Sequence, residues 1–238
     1  MHHPHEHRFP DAHALARALA GEVQVELQEA IEARDHASLV VSGGRTPVTL
    51  FNQLAGEKLS WNKVWVTLAD ERWVDVHDPA SNEHLVRAEL LQRHAALAQF
   101  IGLKNAAATP QEGAEWTWRA LSRIKRPFDV VLLGMGDDGH TASLFPQTPT
   151  NPSPHLAQAL DSSAPPTVVA MQAPVAPQAR ISMNLNALLD ARRIILHIQG
   201  EKKWSLYQAA KAQGPTAALP VRAVLHQQIV PIEVFWSP

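Results

Sequence analysis

An α/β fold, with a mainly parallel sheet and helices on both of its faces, is predicted by three features of the chain. Short apolar runs and helix-length stretches alternate along its 238 residues. Phe128–Leu133, the most strand-like run, is apolar but for Asp129, and Ser38–Ser42, with Leu-Val-Val at its centre, is a short buried-strand candidate. The stretches between runs are long enough for helices, and a helical crossover returns the chain parallel to its previous strand.

The elements follow in order. Residues 1–10 open with MHHPHEH, a tract able to chelate a metal but read as a flexible, solvated terminus with no role assigned. Asp11 to Ala33 carries Leu15, Leu19, Val23, Leu27 and Ile31, a spacing that draws one helix face. Ser38–Ser42 is a strand, and Gly43-Gly44 turns it toward a helix starting near Thr46-Pro47, with Thr46 as a candidate cap. Lys63–Leu68 reads as a strand, Ser81–His94 and Gln111–Lys125 as helices, and Phe128–Leu133 as the clearest strand. Past Phe145 the prolines at 146, 149, 152 and 154 predict an irregular segment. Thr167–Met171 and Arg193–Ile198 are further strands, and Glu201–Ala212 a helix. Ile229–Phe235 closes the chain as an expected edge strand, because Pro231 lacks a ladder donor. With no repeat and no linker, residues 1–238 read as a single domain.

Composition narrows the function. Hydrophobic residues make up 45% of the chain, and net charge is −2. No global field draws nucleic acid, no apolar run is long enough for a membrane, and no signal-peptide h-region is seen. The absence of cysteine excludes disulfides, thiolate metal sites and a cysteine nucleophile. A cytoplasmic protein acting on a small molecule is expected, with any anionic ligand held by a few placed groups.

In parallel α/β sheets ligands gather where strands end. Three turns there carry chemistry. SGGRTP (Ser42 to Pro47) resembles an anion cradle, with two glycines before a helix start, but lacks the Lys-Ser/Thr ending of a nucleotide P-loop. An ordinary strand-to-helix turn is the equal alternative. ADERW places Asp70, Glu71 and Arg72 together, either as a surface ion cluster or as an acid and guanidinium working on a substrate. Trp73 beside them either packs or walls a cleft.

GMGDDGHTASLFP, residues 134–146, fits G-x-G-x-x-G. A dinucleotide site needs a helix at that turn and an acid at the next strand's end, whereas a proline-rich stretch follows here. Asp137 and Asp138 would also repel a pyrophosphate. A catalytic turn fits better: Gly134 and Gly136 bend the chain, Gly139 leaves room for a ligand beside His140, and Asp138 orients or charge-tunes the imidazole. Thr141-Ala142-Ser143 is expected to begin a short helix.

VVSGGRTP, TLADERWVDVHDPASN, FDVVLLGMGDDGHTASLFP, RISMNLNAL, GEKK and LPVRAVL, in that order, resemble the 6-phosphogluconolactonases from about residue 39 to residue 225. These belong with the glucosamine-6-phosphate deaminases in a superfamily of three-layer α/β/α, Rossmann-like architecture. The resemblance implies hydrolysis of 6-phospho-D-glucono-1,5-lactone in the oxidative pentose phosphate pathway, without metal or organic cofactor, by a monomer or weak homo-oligomer.

It also implies roles. Ser42, Gly43, Gly44, Arg45 and Thr46 would form the 6-phosphate loop, with Arg45 either contacting phosphate or facing solvent. Arg180 and Lys203 would grip the same phosphate, Lys202 being one register away. His140 would be the general base, beside Asp138 and Gly136. Asp70, Arg72 and Asn82 would surround the sugar ring. A deaminase is the alternative. That group has an Asn-Glu-Pro ending in the glycine turn, and this chain has Leu144-Phe145-Pro146.

Overall fold

The computed structural model describes residues 4–147, 153–174 and 177–238. His2, His3, Pro149 and Pro152 lie outside the described residues.

The chain begins with a strand, β1 (His5–Arg8), which pairs with the last strand, β10 (Ile232–Ser237). The expected flexible terminus is therefore ordered from His5, and β1 takes the edge position foreseen for the C-terminal strand. The polar sequence HEHR conceals it, because an edge strand contributes little to the core.

Helix α1 (Ala12–Arg34) starts where Asp11 accepts a hydrogen bond from the Ala14 amide at 2.7 Å, a cap worth about 1 kcal/mol. Its face of Leu15, Leu19, Val23, Leu27 and Ile31 is buried as the spacing predicts. It ends at Asp35, whose φ of 62° breaks the helix. Next come β2 (Ala37–Val41), α2 (Val48–Leu54), β3 (Val64–Leu68) and β4 (Asp70–Arg72). Thr46 does not cap α2, which begins from Pro47 without a side-chain cap.

α3 (Asn82–Glu89), β5 (Gln99–Ile101), α4 (Pro110–Leu121) and β6 (Phe128–Leu133) complete the first half. α5 (Pro154–Leu160) follows in the segment expected to be irregular. Pro154 opens it, in the first turn where a missing N–H costs nothing. The remaining elements are β7 (Val168–Gln172), β8 (Ala179–Met183), α6 (Leu185–Leu189), β9 (Ala191–Gln199), α7 (Glu201–Lys211) and α8 (Val221–Leu225).

Seven strands form one parallel sheet in the order β1-β10-β9-β6-β2-β3-β5. Every residue of β2 and β6 is buried. Connections from β1 through β2 and β3 to β5 run one way across the sheet, and those from β5 through β6 and β9 to β10 run the other. Right-handed crossovers therefore place α1, α2 and α3 on one face, with α4 to α8 on the opposite side. Contacts follow that division: α1 packs on α2, α2 on α3, and α7 on α8. The architecture is three-layered, and its direction reverses between β2 and β6.

A second, antiparallel sheet, β4-β8-β7, was not foreseen. It forms because the chain leaving β3 continues extended, with the Met183 amide donating to the Ala69 carbonyl at 2.8 Å. Among the described residues, no helix is long and apolar enough to cross a membrane.

Candidate active site

Strands β2 and β6 are paired with Val41 opposite Leu132, so their exit turns emerge side by side. The Ser42 amide donates back to the Leu132 carbonyl at 3.0 Å. A crevice opens where the direction of the sheet reverses, the usual place for a ligand in such folds. It is a cleft of about 210 Å³ lined from both turns, from β4, from the start of α3, and by Arg180 and Lys203. Every candidate site residue lines it except Asp138, which stands behind His140.

The glycine turn is closed by its own backbone: Gly136 N donates to His140 O at 2.8 Å, and Gly139 N to Gly136 O at 3.1 Å. Asp138 Oδ1 lies 2.6 Å from His140 Nδ1 and also accepts the His140 amide at 3.1 Å. Since the carboxylate accepts, Nδ1 carries the proton and Nε2 keeps a lone pair. Burial raises the Asp138 carboxyl, but the hydrogen bonds from His140, joined by its charge when the ring is protonated, outweigh it and hold the group below its ordinary value. A Cβ at Gly136 would collide with the His140 ring, so that glycine permits the imidazole's approach. Gly139 does not leave space for a ligand, as the sequence suggested. Leu219 fills that space, and the Val221 amide donates to the Gly139 carbonyl at 3.0 Å. Nor do Thr141 to Ser143 begin a helix: Thr141 and Leu144 form an isolated bridge, and Thr141 Oγ1 donates to Gly134 O at 2.9 Å.

The adjacent acids divide their work. Glu71 is fully buried and accepts from the amides of Arg72, Asn82 and Glu83 at 2.6, 2.7 and 2.7 Å, and from Ser81 Oγ at 3.0 Å. It fixes the start of α3, and burial pushes its carboxyl up against the pull of those donors. Asp70 turns into the cleft, where Ser143 Oγ donates to it at 2.5 Å and Asn82 Nδ2 approaches at 3.4 Å. Asn82 lies directly over Gly43, where a Cβ would collide with its carboxamide.

Arg72 and Arg180 are cross-strand partners on β4 and β8. Arg72 donates to Ala80 O at 2.5 Å. The Arg180 guanidinium has no hydrogen-bond partner among the described residues; its nearest carboxylate oxygen, on Asp70, is 4.0 Å away, and its Nε is buried and unpaired. Burial pushes the Arg180 pKa below its ordinary value, and the neighbouring Arg72 charge adds to that. Lys203, in the first turn of α7, is likewise pushed down by burial, with Arg45 adding to the effect and Asp137 opposing it. Lys202, one residue earlier, faces away to pair with Asp137 at 3.2 Å. Arg45 lines the cleft rather than open solvent alone. The result is a concave surface rich in cations whose donors have few internal partners. Ser42 Oγ is also buried there without one.

The sequence missed three residues. Ser143 links the glycine turn to Asp70, and Glu71 carries α3; both lie inside the motifs, but only folding shows their partners. His197 on β9 is 2% exposed, lies behind the phosphate-loop candidate beside Ser42 and Thr46, and has both ring nitrogens unpaired. Burial, with Lys203 nearby, pushes it down to about 3. No sequence signal marks it. Trp73 packs instead of walling the cleft: its Nε1 donates to the Ala107 and Ala108 carbonyls, both at 3.2 Å.

Residues 10–236 match the family model of the glucosamine-6-phosphate isomerases/6-phosphogluconolactonase. The chain belongs to that family. A 6-phosphogluconolactonase of Rhizobium meliloti (strain 1021) is 41% identical over 232 residues, covering 98% of each chain. One from Mesorhizobium japonicum is 43% identical, covering 97% of this chain and 94% of its own. The crystal structure of a 6-phosphogluconolactonase from Shewanella baltica OS155 superposes with a TM-score of 0.93 at 46% identity, covering 99% of this chain and 98% of that one.

Proposed function

We propose that this protein hydrolyses 6-phospho-D-glucono-1,5-lactone to 6-phospho-D-gluconate, a step of the oxidative pentose phosphate pathway. The observation that carries this is the cleft itself. It joins an imidazole held by Asp138, with no partner for Nε2 among the described residues, to cations that include Arg180, whose buried Nε is unpaired.

A lactone is a reactive ester, so the protein must activate one water and support an oxyanion. Arg180, Lys203 and the loop from Ser42 to Thr46 bind the 6-phosphate, holding C1 in register with the imidazole. His140 Nε2 takes a proton from water as its oxygen adds to C1. Three amides of the glycine turn are already donated within it, which leaves Arg72 as the favoured support for the oxyanion. As the intermediate collapses, the C1–O bond to the ring breaks, and protonated His140 returns the proton to the departing ring oxygen.

Phe145 supports hydrolysis over deamination. Its ring, not a carboxylate, sits 4.8 Å from the His140 ring and 5.5 Å from the Arg180 guanidinium carbon. The test is a coupled assay on freshly generated lactone with spontaneous opening subtracted. His140→Ala should lose most of the activity while still binding product. A variant hydrolysing at the wild-type rate, or ammonia released from glucosamine 6-phosphate by the wild type, overturns the reading.

A further inference from the structure

His5 and His7 have no part in the cleft, which lies beyond the carboxyl ends of the strands. They gather near the opposite end of β1 and β10. His5 is in register with Glu233, and His7, two residues on, projects from the same strand face. The donor atoms converge: His7 Nε2 is 2.6 Å from Glu233 Oε2 and 3.0 Å from His5 Nδ1, and His5 Nδ1 is 3.9 Å from that same oxygen.

One nitrogen cannot serve both neighbours. His7 Nε2 has a single in-plane position, holding either a proton for Glu233 or a lone pair for a donor on His5. A cation among the three atoms satisfies all of them. Tetrahedral zinc with bonds near 2.0 Å sets its ligand atoms about 3.3 Å apart, within the range of the three separations seen.

The surroundings hold the ligands in place. The His7 ring stacks on buried Phe235, with centroids 4.3 Å apart and planes 21° from parallel. Arg193 Nη2 binds the other oxygen of Glu233 at 2.7 Å, which orients the carboxylate. Glu22 and Glu26 also pair with Arg193, so three carboxylates surround one guanidinium and the locality stays negative. Beside the cluster a cleft of about 470 Å³, lined by His5 and by Gln227 to Glu233, leaves room for water as a further ligand.

We propose that His5, His7 and Glu233 form a binding site for a divalent transition-metal ion, zinc by its two imidazoles and one carboxylate, which fastens the N-terminal strand to β10. Two nitrogens and one oxygen favour zinc or nickel over magnesium. Bound metal stabilises only the paired strands, because residues 5 and 233 are apart in the unfolded chain.

The test titrates metal-free full-length protein with zinc chloride by calorimetry and follows Tm. One equivalent should bind and raise Tm, while magnesium chloride does neither. Glu233→Gln, and His7→Phe, which keeps the stack on Phe235, should each weaken binding at least tenfold. The double variant His2→Ala/His3→Ala should retain it, and hydrolysis of the lactone should proceed at an unchanged rate. Undiminished binding by Glu233→Gln overturns the site. So does loss of binding in the double variant alone, which would make residues 2 and 3 the ligands, or no zinc binding by the wild type.

Discussion

His140 and Asp138 show how much one contact decides. Asp138→Asn offers an amide where Nδ1–H needs an acceptor oxygen, and an amide that presents its NH2 group would reverse the tautomer. We expect kcat to fall at least about tenfold with KM nearly unchanged, measured in the coupled assay. Gly136→Ala should act in the same way, since a methyl there displaces the ring. His197 has a different signature. The unfolded chain takes up a proton near pH 6.5 that the folded chain refuses until about 3, so this residue makes stability fall as pH drops across that window. His197→Leu should flatten the slope, as read by urea unfolding at several pH values between the two. The motif pointed to His140 from residue types alone. His197 was invisible because a lone histidine in an apolar strand looks like packing.

At the scale of elements, Glu71 ties the small sheet to α3. Removing it leaves four donors without their acceptor, three of them backbone amides. Glu71→Ala should cost about 3 kcal/mol in denaturant unfolding and raise KM as well, because Asn82 at the helix start loses its position. An unchanged KM in the folded variant would detach α3 from the site. The long elements were legible: α1 and β6 carry unbroken period or apolarity, and β6 spans Phe128–Leu133 as read. β4 was not, because three residues carry no period and its pairing partner lies over a hundred positions away. β1 was hidden by its polar residues, and α5 by a proline that helices accept in their first turn.

Across the whole molecule, the cleft depends on segments from Ser42 to Lys203 arriving together. Ligand that binds only the assembled site must raise Tm by mass action. At about a hundred times Kd, 6-phosphogluconate should stabilise by about 2.7 kcal/mol, and Arg180→Ala should remove most of the shift. By itself the sequence determined the chemical types and the parallel order: strand-length apolar runs, helical spacers, a glycine-dense turn ending in histidine. Only the tertiary structure shows which member of each adjacent pair faces the cleft: Asp70 does while Glu71 is buried against α3, and Lys203 does while Lys202 pairs with Asp137. Neighbours on a strand or helix point in different directions, and the surface each one faces is built by pairing and packing with distant residues.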